Sequence, residues 1–298
     1  MAKTQVQVIG QDARFWSILL LIMICFAANS VITRYLVLAS RVSPFLLTVI
    51  RFVSGLTVLL ALPSLRPKIF RRSKPGRANL PGALFLGAYA FSISYGYVFI
   101  SVAAGTFVFY TFVVVTMVMY SVILEKARLT PHLLLAQIFG IAGVLVITFG
   151  RISSVTFSGV ALMAATGASW GLYSSYGKRF EVTFDYTYNS FLLLGAFAVI
   201  ATLILPLTHQ SIPVNLSIAD FGLALYMGMI STALSYVLWN RTLRKIPAHM
   251  GGLIQVSVPV LGAIMGIITL REQLSTSLVF GGALVLLGIY LAQRSRAS

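Results

Sequence analysis

The sequence predicts an all-α polytopic membrane protein, with ten transmembrane helices arranged as two inverted five-helix repeats, residues 1–150 and 151–298. Three observations predict it. The composition is 58% hydrophobic and only 9% charged, with a mean hydropathy of +0.94, which excludes an ordinary soluble domain. Apolar runs of bilayer-spanning length follow one another ten times, and no stretch is left over for a soluble domain. The pattern from Met227 to Arg294 also recurs, in weaker form, about half a chain length earlier, from Gly82 to Gly150.

The first run, 16–38, is too long for the apolar core of a signal peptide and has no small-residue cleavage site after it, so it reads as a span. The second, 44–62, opens at Pro44 and carries Arg51 inside it. A polar connector, Pro63 to Asn79, holds Arg66, Lys68, Arg71, Arg72, Lys74 and Arg77. Runs 80–98 and 102–122 are rich in aromatic residues, and 132–149, with Gly140 and Gly143, closes the first half. The second half holds 158–177, 187–206, 219–239, 249–269 and 276–293. Pro259, inside the ninth run, has no N–H to donate and is expected to break that helix near the midplane, as a hinge, a ligand site or a static kink. The tenth carries Gly281 and Gly288.

Lysines and arginines set the orientation. With a cytoplasmic N-terminus, 17 of the 22 fall on the cytoplasmic side: Lys3, Arg14, the six of the long connector, Lys126, Arg128, Lys178, Arg179, Arg241, Arg244, Lys245, Arg294 and Arg296. Only Arg34, Arg41, Arg151 and Arg271 fall on the other side, with Arg51 left inside a span. Both termini are therefore predicted to be cytoplasmic. Five spans per half is an odd number, so equivalent helices must cross in opposite directions, with Glu125 at the cytoplasmic face and Glu272 at the opposite one. Inverted repeats are a common architecture of secondary transporters, whose substrate sits near the midplane between the halves.

The net charge of +16 does not imply nucleic acid, because the basic residues lie between apolar runs rather than on one face. The partners expected are the lipid bilayer and a small-molecule substrate. One cysteine, Cys25, permits no internal disulfide, and neither a metal site nor a cofactor is expected.

The stretch STALSYVLWNRTLRKIPAHMGGLIQVSVPVLGAIMGIITLREQLSTSLVFGGALVLLGIYL resembles the second half of EamA-type permeases of the drug/metabolite transporter superfamily. The matching positions are Ser231 to Tyr236, Pro259, Glu272, Gly281 and Gly288. GVALMAATGASWGLYSSYGKRF is similar to the family's sixth span, and PFLLTVIRFVSGLTVLL to its second, with Arg51 at the family's arginine. Within that group the aromatic third and fourth spans look most like the YddG-type amino-acid exporters. The resemblance implies export of amino acids, aromatic and other neutral ones, across a bacterial inner membrane. Two departures erode the first-half motif: Glu125 lies two positions earlier than Glu272 relative to the following span, and no proline in the fourth span matches Pro259.

No carboxylate is placed at mid-depth. Asp12, Glu125, Glu181, Asp185, Asp220 and Glu272 all fall in loops or at span ends. A small multidrug-resistance type exporter would carry a glutamate in its first span, where this chain has Asn29, which argues against exchange of cationic drugs for protons. His132, His209 and His249 lie near span ends and read as interfacial.

Candidate substrate-binding residues are the polar and aromatic side chains on shared faces within spans. They are Asn29 in the first; Tyr89, Ser92 and Tyr95 in the third; Tyr110 in the fourth; Trp170 and Tyr173 in the sixth; Thr232, Tyr236 and Trp239 in the eighth; and Gln255 in the ninth. Such a lining suits an apolar or amphipathic solute, an amino acid or a hydrophobic drug or metabolite. The same residues would equally serve as packing between helices. Tyr97 and Phe99, near a span end, read as interfacial belt. Arg51 either holds a substrate carboxylate or snorkels towards the outer interface, about two turns away at Pro44, and the structural role is favoured.

Gly167-xxx-Gly171 and Gly262-xxx-Gly266 predict close helix packing. The fifth and tenth spans, almost without polar residues at mid-depth, are expected at the lipid-facing periphery, in a monomer or a weak homodimer. An enzyme is not expected, for want of clustered His, Asp or Cys, and a channel would more naturally show rings of charge.

Overall fold

The computed structural model describes residues 13–61, 77–126, 130–149, 155–180, 183–204, 216–246, 248–255 and 257–294. Among them there is no strand, only an isolated antiparallel bridge between Ile100 and Val155. Backbone in a bilayer must satisfy its own hydrogen bonds, and for apolar runs of this length a helix does so within one segment.

The helices are α1 (Ala13–Leu38), α2 (Pro44–Ala61), α3 (Leu80–Phe99), α4 (Val102–Ile123), α5 (Pro131–Phe149), α6 (Phe157–Gly177) and α7 (Thr183–Ile204). A 3₁₀ turn, Arg77–Asn79, leads into α3. The next rod, α8 (Ile218–Leu243), contains a π-helical stretch, Met227–Leu234, between two α-helical ends. Then come α9 (Ala248–Ile254), α10 (Ser257–Leu270) and α11 (Thr276–Arg294). Six of these are long and apolar enough to cross a membrane: α1, α2, α3 with its leading turn, α4, α7 and α8. Shorter apolar helical stretches lie in α5, α10 and α11. The protein is a multi-pass membrane protein.

Local chemistry sets several ends. Ser101, Thr156 and Ser217 sit at N-caps, their hydroxyls accepting the N–H groups of Ala104, Gly159 and Asp220. Arg41, Lys126 and Arg271, in the connections after α2's predecessor, α4 and α10, take positive φ values of 51°, 58° and 53°, turning the chain sharply.

The predicted helix over 249–269 is two helices, α9 and α10. The break falls at the position whose carbonyl a helical residue 259 would have bonded. Pro259 has no N–H to give, and the Gln255 carbonyl instead receives the N–H of Val258 at 3.1 Å.

Helix α4 lies at the centre, packed against α6, α9 and α10, while α1 touches α3, α8 and α10. Gly167 lets α6 rest directly on the Phe109 carbonyl of α4, where any β-carbon would collide. Helices α5 and α11 pack on each other, Gly143 meeting the Gly281 carbonyl. Their other faces expose Leu134, Ile138, Ile141, Phe280 and Leu287, as expected of peripheral helices turned to lipid. The basic connector Pro63–Asn79 lies largely outside the described residues, as do Asp12, Arg151, Glu181 and His209.

Candidate solute-binding site

Aromatic rings from five helices meet in the core, from the middle of α1 and α3 towards the C-terminal ends of α6 and α8 and the N-terminal end of α7. Phe26 and Tyr89 lie within about two residues, roughly 3 Å along the axis, of the middle of α1 and α3. The Trp170 ring is the hub, with centroids 4.5 Å from Tyr236, 5.1 Å from Tyr89, 5.4 Å from Phe26 and 5.5 Å from Tyr173. Phe26 also meets Trp239 edge-on at 5.9 Å, and Tyr173 stacks on Tyr186 of α7 at 4.9 Å. Such geometries hold rings together beyond the area they bury.

Polar groups pin the rings from outside. The Trp170 indole donates to the Gln255 side-chain carbonyl at 2.6 Å, and the Gln255 amide in turn donates to the Gly251 carbonyl at 3.1 Å. Trp239 donates to the Ser174 hydroxyl at 3.1 Å. The Asn240 amide reaches Thr187 at 2.9 Å and the Tyr173 hydroxyl at 3.4 Å. Asn29 contacts Thr232 at 3.5 Å, and the Thr33 hydroxyl, one turn on, donates to the Asn29 carbonyl at 2.7 Å. The break before Pro259 thus places Gln255 at a helix end, free to hold an indole in the core.

Of the sequence candidates, the structure brings together Tyr89, Trp170, Tyr173, Tyr236 and Trp239, with Asn29, Thr232 and Gln255 at the edges of the cluster. Tyr110 is buried against Phe109, 4.3 Å between centroids, and Phe109 in turn touches Tyr89 at 5.9 Å. Ser92 is buried on α3. Tyr95 lies apart: its half-buried ring packs at 4.4 Å on Phe91, which is 50% exposed on the outer face.

Tyr97 is fully buried rather than in an interfacial belt; Arg34 donates to its backbone carbonyl. Phe26, Phe191, Tyr186 and Asn240 belong to the cluster and were not candidates from the sequence. Phe26 sits in a featureless apolar run with no pattern to single it out. Asn240 fell just past the end of the predicted eighth span, although its spacing of four from Tyr236 puts both on one face.

The central rings are closed over, Trp170, Tyr173, Tyr236 and Trp239 being almost wholly buried. An open groove of about 530 Å³ lies to one side, between α2, α3 and α7, lined by apolar groups including Val49, Leu84, Leu194 and Phe197. Phe52 lines that groove and also packs on Phe191 at 5.5 Å, which touches Tyr236 at 6.3 Å. This ring pair separates the groove from the central cluster. Among the described residues no group of three His, Cys, Asp or Glu side chains is placed to hold a metal ion.

Comparison with known proteins agrees with this architecture. The model of the EamA-like transporter family matches twice, over residues 15–149 and 157–293. An uncharacterised protein of Pseudomonas aeruginosa is 30% identical over 96% of this chain and 98% of its own. An uncharacterised transporter of Archaeoglobus fulgidus is 26% identical, covering 85% and 90%, and the uncharacterised transporter YoaV of Bacillus subtilis is 23% identical, covering 84% and 87%. One solved crystal structure shares the fold, with a TM-score of 0.65 and 23% identity over 93% of this chain and 99% of that one. Twice matched by the family's model along nearly its whole length, the chain belongs to the EamA-like transporter family.

Proposed function

We propose that this membrane transporter exports small organic solutes, aromatic and other neutral amino acids, across a bacterial inner membrane by alternating access. The observation that carries the reading is the buried aromatic cluster, built by α1, α3, α6, α7 and α8 and sealed in this conformation. A cluster drawing on both halves of the chain can open to either side if the halves rock about it. Ten spans in two inverted repeats, with both termini cytoplasmic, suit that motion. The twofold family match and the charge bias of the loops support this arrangement. No described carboxylate lies at mid-depth, so passive movement of solute down its own gradient is the simplest coupling.

The test is counterflow in proteoliposomes, using labelled L-phenylalanine and L-leucine with unlabelled solute trapped inside. Uptake above protein-free vesicles is expected. Its absence for all neutral amino acids overturns the substrate assignment. Uptake driven against a gradient by a pH difference alone overturns the passive mechanism.

The lateral apolar groove favours a second reading, export of hydrophobic drugs or other metabolites entering from the bilayer past Phe52 and Phe191. Transport of an apolar dye in place of amino acids would select it.

A further inference from the structure

Arg51 is 0% exposed, near the middle of α2, in a chain whose other candidate cations sit in loops or at helix ends. It does not snorkel. One terminal nitrogen, Nη2, donates to the Thr33 hydroxyl at 3.1 Å and lies 3.5 Å from the Met227 sulfur. The other two nitrogens, Nε and Nη1, have no hydrogen-bond partner. The two ion pairs found among the described residues, Arg34 with Glu272 and Lys178 with Glu125, do not involve it.

Its surroundings are equally incomplete. The π-helical stretch of α8 crosses α2 so closely that a β-carbon on Gly228 would strike the Arg51 backbone and the Ser54 hydroxyl. On that stretch the buried Ser231 hydroxyl has no partner. The Tyr236 hydroxyl, beside that of Tyr89, makes no hydrogen bond of good geometry and lies within electrostatic reach of Arg51. Thr33, which holds the guanidinium, is itself bonded to Asn29 at the edge of the ring cluster.

A guanidinium keeps its charge in proteins and offers five N–H donors. Burying it in a membrane core with donors unused is costly unless an anion completes it. π-Helical turns recur at functional sites because they displace backbone and side chains from regular packing. We infer that Arg51 is the anchor for a carboxylate on the transported solute, with the Tyr236 hydroxyl beside it and the Trp170–Tyr236–Tyr89 rings against the solute's apolar part. The inference rests on the transport reading and deepens it: the solute must be an acid or a zwitterion, and a matched amide or amine is rejected.

The test uses the full chain purified in detergent, with the ligand-induced change in tryptophan emission as the signal, Trp170 and Trp239 lying in the cluster and Trp16 exposed away from it. Probes are L-phenylalanine, L-leucine and 3-phenylpropionate, against L-phenylalaninamide and phenethylamine. The three carboxylates are expected to shift the emission, and the amide and amine to bind at least about tenfold more weakly. That comparison needs no variant. Arg51→Gln should weaken carboxylate binding by at least about tenfold, Arg51→Lys by less, and Tyr236→Phe should weaken it while keeping the ring packed.

Amide bound as tightly as acid, no response to any carboxylate, or Arg51→Gln binding acids like the wild type each overturns the anchor. So does chloride competing at equal concentration, which makes the site one for an inorganic ion. Flux of the same probes in proteoliposomes separates the two claims. Carboxylates bound but never carried would leave the anchor standing and sink the transport reading. Amines or amides carried while acids are ignored would leave transport standing but sink the anchor and the amino-acid assignment with it.

Discussion

The Glu272 carboxylate, just beyond the end of α10, closes on the backbone N–H of Val102 at 2.7 Å, and on that of Ala103 at 3.2 Å, at the start of α4. Glu125, just beyond the end of α4, accepts the backbone N–H of Ala248 at the start of α9. The two contacts are reciprocal: each helix region hands a carboxylate to the other's N-terminus. Unpaired N–H groups and the helix dipole make that terminus a favourable place for a negative charge. Each carboxylate also has a cation from another helix nearby, Arg34 at 4.0 Å from Glu272 and Lys178 at 2.7 Å from Glu125.

Glu272→Gln keeps the shape of the side chain and removes the charge. Stability should fall by about 1–2 kcal/mol, the scale of a partly buried charge at a helix terminus. Thermal unfolding in detergent reads this, and a variant as stable as the wild type would show that the contact is incidental.

The pH dependence of stability should carry a Glu125 component. Burial pushes its pKa up, but the hydrogen bonds from Lys178 and Ser121 and the Lys178 charge outweigh that, so the net shift is downward. The unfolded group titrates near 4.3. A depressed folded pKa means the contribution is fully present above the unfolded value and is lost as pH falls through the folded one. Lys178→Ala should therefore move the acid unfolding midpoint upward. In Glu125→Gln the effect of removing Lys178 should vanish, and a Lys178 effect of equal size in that background argues against the pair.

Gly167→Val places a side chain against the Phe109 carbonyl at the α4–α6 crossing. Forcing the helices apart should cost 1–3 kcal/mol or more, roughly the range of overpacked cores. Gly222→Ala is the control, since nothing lies within 4 Å of the added carbon. Comparable destabilisation of both would mean the crossing is not tight.

Trp170→Phe keeps a ring in the cluster but leaves the Gln255 carbonyl without its donor. Transport should fall with the protein still inserted, whereas Trp170→Ala, at about 3–5 kcal/mol for a buried aromatic, also threatens the fold. Normal flux in Trp170→Phe, Tyr236→Phe and Trp239→Phe together would make the rings packing alone.

Topology is tested by single cysteines at Ser73 and Ser153 in a Cys25→Ala background. From the loop charges, Ser73 should label from the cytoplasmic side and Ser153 from the opposite side. Both labelling from outside intact cells would end the inverted arrangement.

By itself the sequence determined the class. Backbone in lipid is satisfied by helices or by closed barrels, and long continuous apolar runs lack the alternation of barrel strands, so a helical membrane protein was legible from composition and run length alone. Short-range signals were legible for the same reason: Pro259 removed a donor that no neighbour can replace, and Gly167 and Gly171 marked where α6 meets the backbone of α4, whereas Gly262 and Gly266 meet side chains, those of Thr106, Val102 and Glu272. The faces carrying Trp170 and Tyr173, or Tyr236 and Trp239, followed from helical periodicity. Which faces meet was decided only by the tertiary structure, because in an apolar chain every face is apolar and hydropathy does not separate core from lipid contact. That is why Tyr95 and Tyr97, two residues apart, went to opposite surroundings, and why Phe26 gave no signal. The π-helical stretch in α8 and the inward turn of Arg51 are likewise outcomes of packing. Helix α2 is held so close at Gly228 that the guanidinium meets Thr33 and Met227 instead of reaching the interface.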